Sequence, residues 1–223
     1  MTDDRLPDEF LRRVRHLEPA YLAHDDPIRA SGFSGGPQRW RAEREPILAA
    51  VDGDGDLLDV GCANGYLLEC LVAWAAERGI TLVPQGLDIG PGLVESAQRR
   101  LPRFAGNIHL GNAWEWAPPR RYRYVYMLYD CVPESHLTRM TARLLDEFVE
   151  PKGRVILGAY GSRSDDIPPF DLAGFLTAAG FEVAGTAFGG DPVVTAFAWV
   201  EARTGRANRE PGADKRQATT ANG

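Results

Sequence analysis

Lysine is nearly missing from this 223-residue chain: Lys152 and Lys215 are the only two, and arginine carries almost all of the positive charge. That bias is the codon signature of a GC-rich genome, which points to a bacterial source and says nothing of a substrate. Cysteine is scarce too. Cys62, Cys70 and Cys131 are too few and too far apart for a zinc cluster or a secreted disulfide framework, so reduced thiols and no metal are expected. No apolar run approaches the roughly 20 residues of a membrane span, and the polar start Met1-Thr2-Asp3-Asp4-Arg5 lacks the form of a secretory signal, which predicts a cytoplasmic protein. Excess positive charge is also lacking. A net charge of −6 argues against broad binding to nucleic acid or an anionic membrane, because such binding depends on neutralising phosphates with a basic surface. No internal repeat is present. With 44% hydrophobic residues, a chain of this length can bury one substantial core.

The most informative stretch is Leu57-Leu58-Asp59-Val60-Gly61-Cys62-Ala63-Asn64-Gly65-Tyr66. An apolar strand breaks into small residues and restarts as the helical pattern Leu67, Leu68, Leu71. Small residues at 61, 63 and 65 allow backbone to approach a ligand, and the free N–H groups of a helix start favour a polar or anionic group. The dinucleotide fingerprint G-x-G-x-x-G would need a third glycine at position 66, which is Tyr. The spacing fits D-x-G-x-G-x-G instead, with Ala63 as the one substitution.

That motif resembles the glycine-rich turn of class I S-adenosylmethionine-dependent methyltransferases, and two further positions extend the likeness. The strand 82–88 ends in Asp88, with Pro91 opening the next helix. A third short strand, Ile108-His109-Leu110, closes on Gly111-Asn112-Ala113-Trp114. The resemblance implies S-adenosylmethionine as cofactor. It places Asp59, Gly61, Ala63 and Gly65 at the turn, Asp88 on the ribose hydroxyls with Ile89 beside it, and Asn112 and Ala113 at the adenine; Tyr129 completes the set. Asn112 stands where the family usually carries Asp, and its amide oxygen can still accept from an amine.

Elsewhere the pattern alternates strand and helix, which predicts a parallel sheet. Residues 8–17 form an amphipathic helix with Phe10, Leu11, Val14 and Leu17 on one face, and a second helix is expected over 38–51. Strands follow at 122–129 and 154–160, with a helix over 135–148 between them and another over 171–179 ending at Gly180. The last apolar runs, 181–188 and 193–200, are joined too closely for a parallel crossover and must form an antiparallel hairpin. The fold expected is therefore α/β and Rossmann-like: a seven-stranded, mostly parallel sheet with an antiparallel C-terminal hairpin, helices on both faces and an N-terminal helical lid. Residues 1–51 form the lid segment, 52–201 the S-adenosylmethionine-binding domain and 202–223 a disordered polar tail.

In an open parallel sheet the ligand sits outside the carboxyl ends of the strands, where strand order reverses. The end of the fourth strand, Tyr129-Asp130-Cys131-Val132-Pro133-Glu134-Ser135-His136, therefore faces the reacting centre. His136 is the first candidate base, because its unperturbed pKa suits the task, with Asp130 or Glu134 as orienter or alternative. Residues 21–40 are the natural lid, with Phe33 and Trp40 as apolar walls for the substrate and Tyr160 lining the pocket. The D/N-P-P-Y and Pro-Cys motifs of DNA methyltransferases are missing, so no DNA partner is expected. Methylation of a small molecule, on oxygen, is the leading reading. A protein or RNA methyltransferase, a nicotinamide enzyme and a cofactor-binding module without catalysis remain open.

Overall fold

The computed structural model describes residues 5–203. Seven strands form one sheet: β1 (Gly55–Val60), β2 (Leu82–Asp88), β3 (Ile108–Leu110), β4 (Tyr122–Leu128), β5 (Val149–Tyr160), β6 (Val183–Gly189) and β7 (Thr195–Glu201). Their order is β3-β2-β1-β4-β5-β7-β6. β1 to β5 run parallel, while β7 is antiparallel to both β5 and β6. This is the expected sheet, hairpin included. Strand order reverses between β1 and β4, so the crevice for a ligand opens above the carboxyl ends of those two strands.

Two-residue periodicity divides the central strands between two cores. Leu58, Val60, Val125, Met127, Val155 and Leu157 face one side, where Leu137, Met140 and Leu144 cover them from α6 (Glu134–Arg143) and the turn after it, and Leu172 and Leu176 from α7 (Leu172–Ala178). Leu57, Tyr124, Tyr126 and Ile156 face the other. There the cover is Trp40 of α3 (Pro37–Arg44), Leu68, Leu71 and Trp74 of α4 (Tyr66–Glu77), and Val94 and Ala97 of α5 (Pro91–Arg100). Gly65 lets α4 and α5 meet: its φ is +74°, and a Cβ there would lie 3.0 Å from that of Ala97.

Several boundaries differ from the sequence expectation for identifiable reasons. The first helix stops at Arg15 and resumes as α2 (Leu17–Leu22), the break falling at His16, while α1 spans Asp8–Arg15. The helix expected over 38–51 ends at Arg44, because Pro46 forces the chain into the 3₁₀ turn Glu45–Ala50. The helix of residues 135–148 closes as α6 at Arg143, followed by one π turn, Leu144–Phe148. β5 starts five residues early, at Val149, and tolerates this through a register shift against β4 near Lys152, whose φ is +65°. Of the tail expected over 202–223, residues 204 onward lie outside the described residues. Among the described residues no helix is long and apolar enough to cross a membrane.

One buried group in β4 opposes the fold. The Tyr122 hydroxyl is fully buried and without a hydrogen-bond partner, and an unpaired buried hydroxyl carries a desolvation cost of about 1–3 kcal/mol. Tyr122→Phe removes that cost and keeps the ring, so urea titration is expected to show a variant as stable as the parent or up to about 1–2 kcal/mol more stable. A loss of more than about 1 kcal/mol would mean the hydroxyl is satisfied in solution.

Candidate functional site

The turn after β1 is built by backbone geometry. Gly61 takes φ +84°, which glycine alone adopts without strain, and Ala63 is held at φ +47°. The N–H groups of Gly61 and Cys62 both donate to the Leu87 carbonyl, at 2.7 and 3.1 Å, binding this turn to the end of β2. Asp88 locks the arrangement. Its Oδ2 accepts from the Ala63 amide at 2.8 Å and its Oδ1 from the Gly90 amide at 2.8 Å. Asn64 then joins the turn to the N-terminal segment: its Oδ1 accepts from Tyr66 N–H and the Ser31 hydroxyl, and its Nδ2 donates to the Pro27 carbonyl.

A cavity of about 190 Å³ opens above this turn. Its floor includes Gly61, Ala63, Asp88, Ile89, Asn112 and Ala113, and Asp130 and Cys131 stand at the β4 side. Its roof is α1 and α2. Phe10, Leu11 and Val14 point their apolar faces down, Tyr21 closes one end, and Glu18 crosses to α5, its Oε1 accepting from the Gly92 amide at 2.6 Å. The volume is below the roughly 300 Å³ at which small-ligand pockets begin. An open groove of about 520 Å³ continues it beyond Leu6, Leu11 and Arg15, and shares Ile89, Gly111 and Asn112 with it. A nucleoside-sized ligand can span both spaces if α1 shifts outward.

Carboxylates dominate the electrostatics. Asp59, one layer beneath the turn, is 2% exposed, and burial followed by the charge of Asp88 pushes its carboxyl up to about 8. Burial also raises Asp88, opposed by the Gly90 and Ala63 N–H bonds and reinforced by Glu18. Asp130 is open to the cavity yet flanked by protein, and desolvation lifts its carboxyl above the usual range, with Arg13 pulling the other way. Desolvation raises the Tyr21 phenol as well, and Asp130 and Asp88 add to it. Among the described residues Arg15 is the one cation lining the cavity, with Arg13 acting on Asp130 from outside it, so the site suits a ligand that offers hydroxyls and a positive centre.

The predicted residues separate into groups. Gly61, Ala63, Asp88, Ile89, Asn112, Ala113 and Asp130 meet at the cavity. Asp59 and Gly65 stand behind it as supports. Asn112 uses its amide oxygen to accept from Trp114 N–H at 3.0 Å, an Asx turn that fixes the corner and leaves one lone pair for a ligand. Tyr129 does not line the cavity; its ring stacks on Phe170 at 4.8 Å. Nor does His136, whose ring packs edge-on against Trp114 and whose Nδ1 meets the Ser135 hydroxyl, so the expected pairing with Asp130 is not formed. Phe33, Trp40 and Tyr160 lie outside the cavity as well, gathered around the Arg44 guanidinium. The roof is thus residues 6–21 and not 21–40. Its signal is in the sequence: the apolar face Phe10, Leu11, Val14, Leu17 of an amphipathic helix needs a surface to cover.

No family model and no curated protein matches the sequence. Solved structures do resemble it. A chain of the complex between the Haloferax volcanii Trm112 methyltransferase activator and a methyltransferase superposes with a TM-score of 0.62 at 14% identity, covering 86% of this chain and 99% of that one. The N-methyltransferase NodS from Bradyrhizobium japonicum, solved with S-adenosyl-L-homocysteine, gives 0.59 at 16% identity, covering 85% and 97%. The [4+2]-cyclase SpnF gives 0.53 at 14%, covering 73% and 80%. The chain therefore has the Rossmann-like fold of class I S-adenosylmethionine-dependent methyltransferases, a fold that also carries other chemistry.

Asp59 makes the fold sensitive to pH. A carboxyl near 8 in the folded state and about 3.9 unfolded binds more protons when folded, so its contribution is complete below about pH 4 and is lost as pH rises towards 8. Asp59→Asn stays neutral throughout. Between pH 5 and 8 its Tm is expected to fall less than the parent's by several degrees, since about 1 kcal/mol moves Tm by roughly 2–4 °C in a chain of this size. Parallel Tm curves for the two proteins would show that Asp59 is ionised throughout that range.

Proposed function

We propose that the protein is an S-adenosylmethionine-dependent methyltransferase that methylates a small molecule on oxygen. The observation that carries this reading is Asp88: a buried carboxylate at the end of β2, beside the strand-order reversal, each oxygen fixed by one backbone amide and still able to accept one hydroxyl of a ribose. The neighbouring residues fit the rest of the cofactor. Gly61 and Ala63 present open backbone, Asn112 and the Ala113 amide stand at the adenine end, and Ile89 supplies an apolar edge. When bound, the cofactor supplies an electrophilic methyl group on a sulfonium. Asp130 and the acidic surroundings favour a cation there, and the roof excludes water.

The chain's own work is alignment and proton removal. Positioning alone can supply about 7–11 kcal/mol of the barrier. Asp130, in the cavity and raised above the usual carboxylate range by desolvation, is the residue this reading assigns to accept a proton from an acceptor hydroxyl. Tyr21 bounds the same space from the roof. His136 acts at a distance, holding the first turn of α6 against Trp114. Residues 52–201 form the binding domain in this reading, and the N-terminal segment forms its lid, opened by release of Glu18 from Gly92. A second reading, a binding module without methyl transfer, draws support from the tightness of the roofed cavity.

Calorimetry with S-adenosylhomocysteine tests the cofactor. Gly61→Val, strained at φ +84° and directed at the Cys131 sulfur 3.0 Å away, is expected to abolish binding. Asp88→Ala is expected to weaken it by about 1–3 kcal/mol. Unchanged affinity in both variants refutes the reading. Methyl transfer to a panel of hydroxyl compounds, followed by tritium from labelled cofactor, separates enzyme from binding module. Asp130→Asn should slow single turnovers by about 10²–10⁴ and remove the rise in rate through the raised Asp130 ionisation, whereas His136→Ala should leave that pH profile in place.

A further inference from the structure

A second group of charges lies beyond Asp130, around the end of β5. Arg44 is 5% exposed, and its guanidinium stacks 3.6 Å from the Tyr160 ring centroid, with Phe33 and Trp40 at 4.9 and 5.0 Å. Its polar contacts are weak. Nη1 reaches the Glu43 carbonyl at 3.4 Å and the Glu43 carboxylate at 3.6 Å. That carboxylate, 2% exposed, is already held by Arg39 Nε at 2.7 Å and Arg163 Nη2 at 3.2 Å on its other oxygen. Arg163 also donates to the Asp191 carbonyl through Nη1, and its Nε is buried with no partner. Three guanidinium groups therefore share one carboxylate inside a protein of net charge −6, and Arg163 Nε is a buried donor left without a partner.

Burying charge without adequate pairing is costly, and a guanidinium recovers that cost best from the forked oxygens of a carboxylate or phosphate. The position suits such a group. Tyr160 ends β5 on the same carboxyl edge as Gly61, Asp88 and Asp130, and its phenol feels the charges of both Arg44 and Asp130. Leu128 joins the two places, lining the cavity while belonging to the same apolar cluster as Phe33, Trp40 and Tyr160.

We infer that Arg39, Arg44 and Arg163 form a recognition site for an oxyanion group, a carboxylate or a phosphate, carried by the methyl acceptor. The inference rests on the methyltransferase reading for the word acceptor, but the anion site can be tested apart from it. The full-length protein, with and without saturating S-adenosylhomocysteine, is titrated with inorganic phosphate and with benzoate at an ionic strength fixed with potassium chloride. At least one probe should raise Tm where chloride does not, and the preferred probe identifies the oxyanion. The double variant Arg39→Gln/Arg163→Gln, at two partly exposed positions, should bind that probe about tenfold more weakly, or about 1.4 kcal/mol, with S-adenosylhomocysteine affinity unchanged. Arg44→Gln should do the same if circular dichroism shows it folded; if it is not folded, the double variant decides. Equal probe affinity in parent and double variant, or no effect beyond that of chloride, overturns the site. Anion binding intact in a protein that fails to bind S-adenosylhomocysteine overturns the acceptor role and the methyltransferase reading, and leaves the anion site standing.

Discussion

The Asp88 carboxylate holds the site together by pairing two loops at the crevice itself, one residue beyond the bonds of Gly61 and Cys62 to the Leu87 carbonyl. The amide of Ala63 comes from the turn after β1 and the amide of Gly90 from the turn after β2, and each donates to a different oxygen of the one side chain. With those bonds formed, Ala63 can be kept in a left-handed conformation that costs a non-glycine residue of order 1 kcal/mol. The reverse also holds, because the fixed loops position a carboxylate at the crevice without help from a ligand. Preorganisation of this kind reduces what binding must spend on ordering the site.

Charge is distributed unevenly along the carboxyl edge of the sheet. Asp59, Asp88 and Asp130 gather at the ends of β1, β2 and β4 with Glu18 above them, and burial raises all three aspartates. Beyond Tyr160 the balance inverts, with Arg39, Arg44 and Arg163 around Glu43. The edge therefore runs from a region that favours positive ligands to one that favours negative ligands, and Tyr160, whose hydroxyl meets that of Tyr126 at 2.7 Å, stands between them. A molecule with a cationic and an anionic end is oriented along such a gradient before any shape-specific contact is made.

What was legible in the sequence was whatever depends on local chemistry. The break from β1 into small residues, the acid closing β2 and the short final connection each dictate a backbone outcome whatever the distant context, and each is found as read. The end of α3 is set by Pro46, which is itself a local signal. The roof and the role of the aromatics are not local in this sense. Phe33, Trp40 and Tyr160 looked like pocket walls because large rings near a ligand edge have two equally good fates, and only tertiary packing shows that Arg44 already fills the space among them. His136 was favoured on the chemistry of its ring, which carries no information on where α6 turns it.

The bonds from Asn64 to Pro27 and Ser31 fasten the N-terminal segment to the start of α4 only from residue 27 onward. Ahead of that clamp, the chain between the end of α2 at Leu22 and Pro27 is four residues long. Fully extended, four residues reach at most about 14 Å, so the leash on the two roof helices has a fixed length. Whatever displacement the two helices undergo, the end of α2 stays within that distance of the clamp.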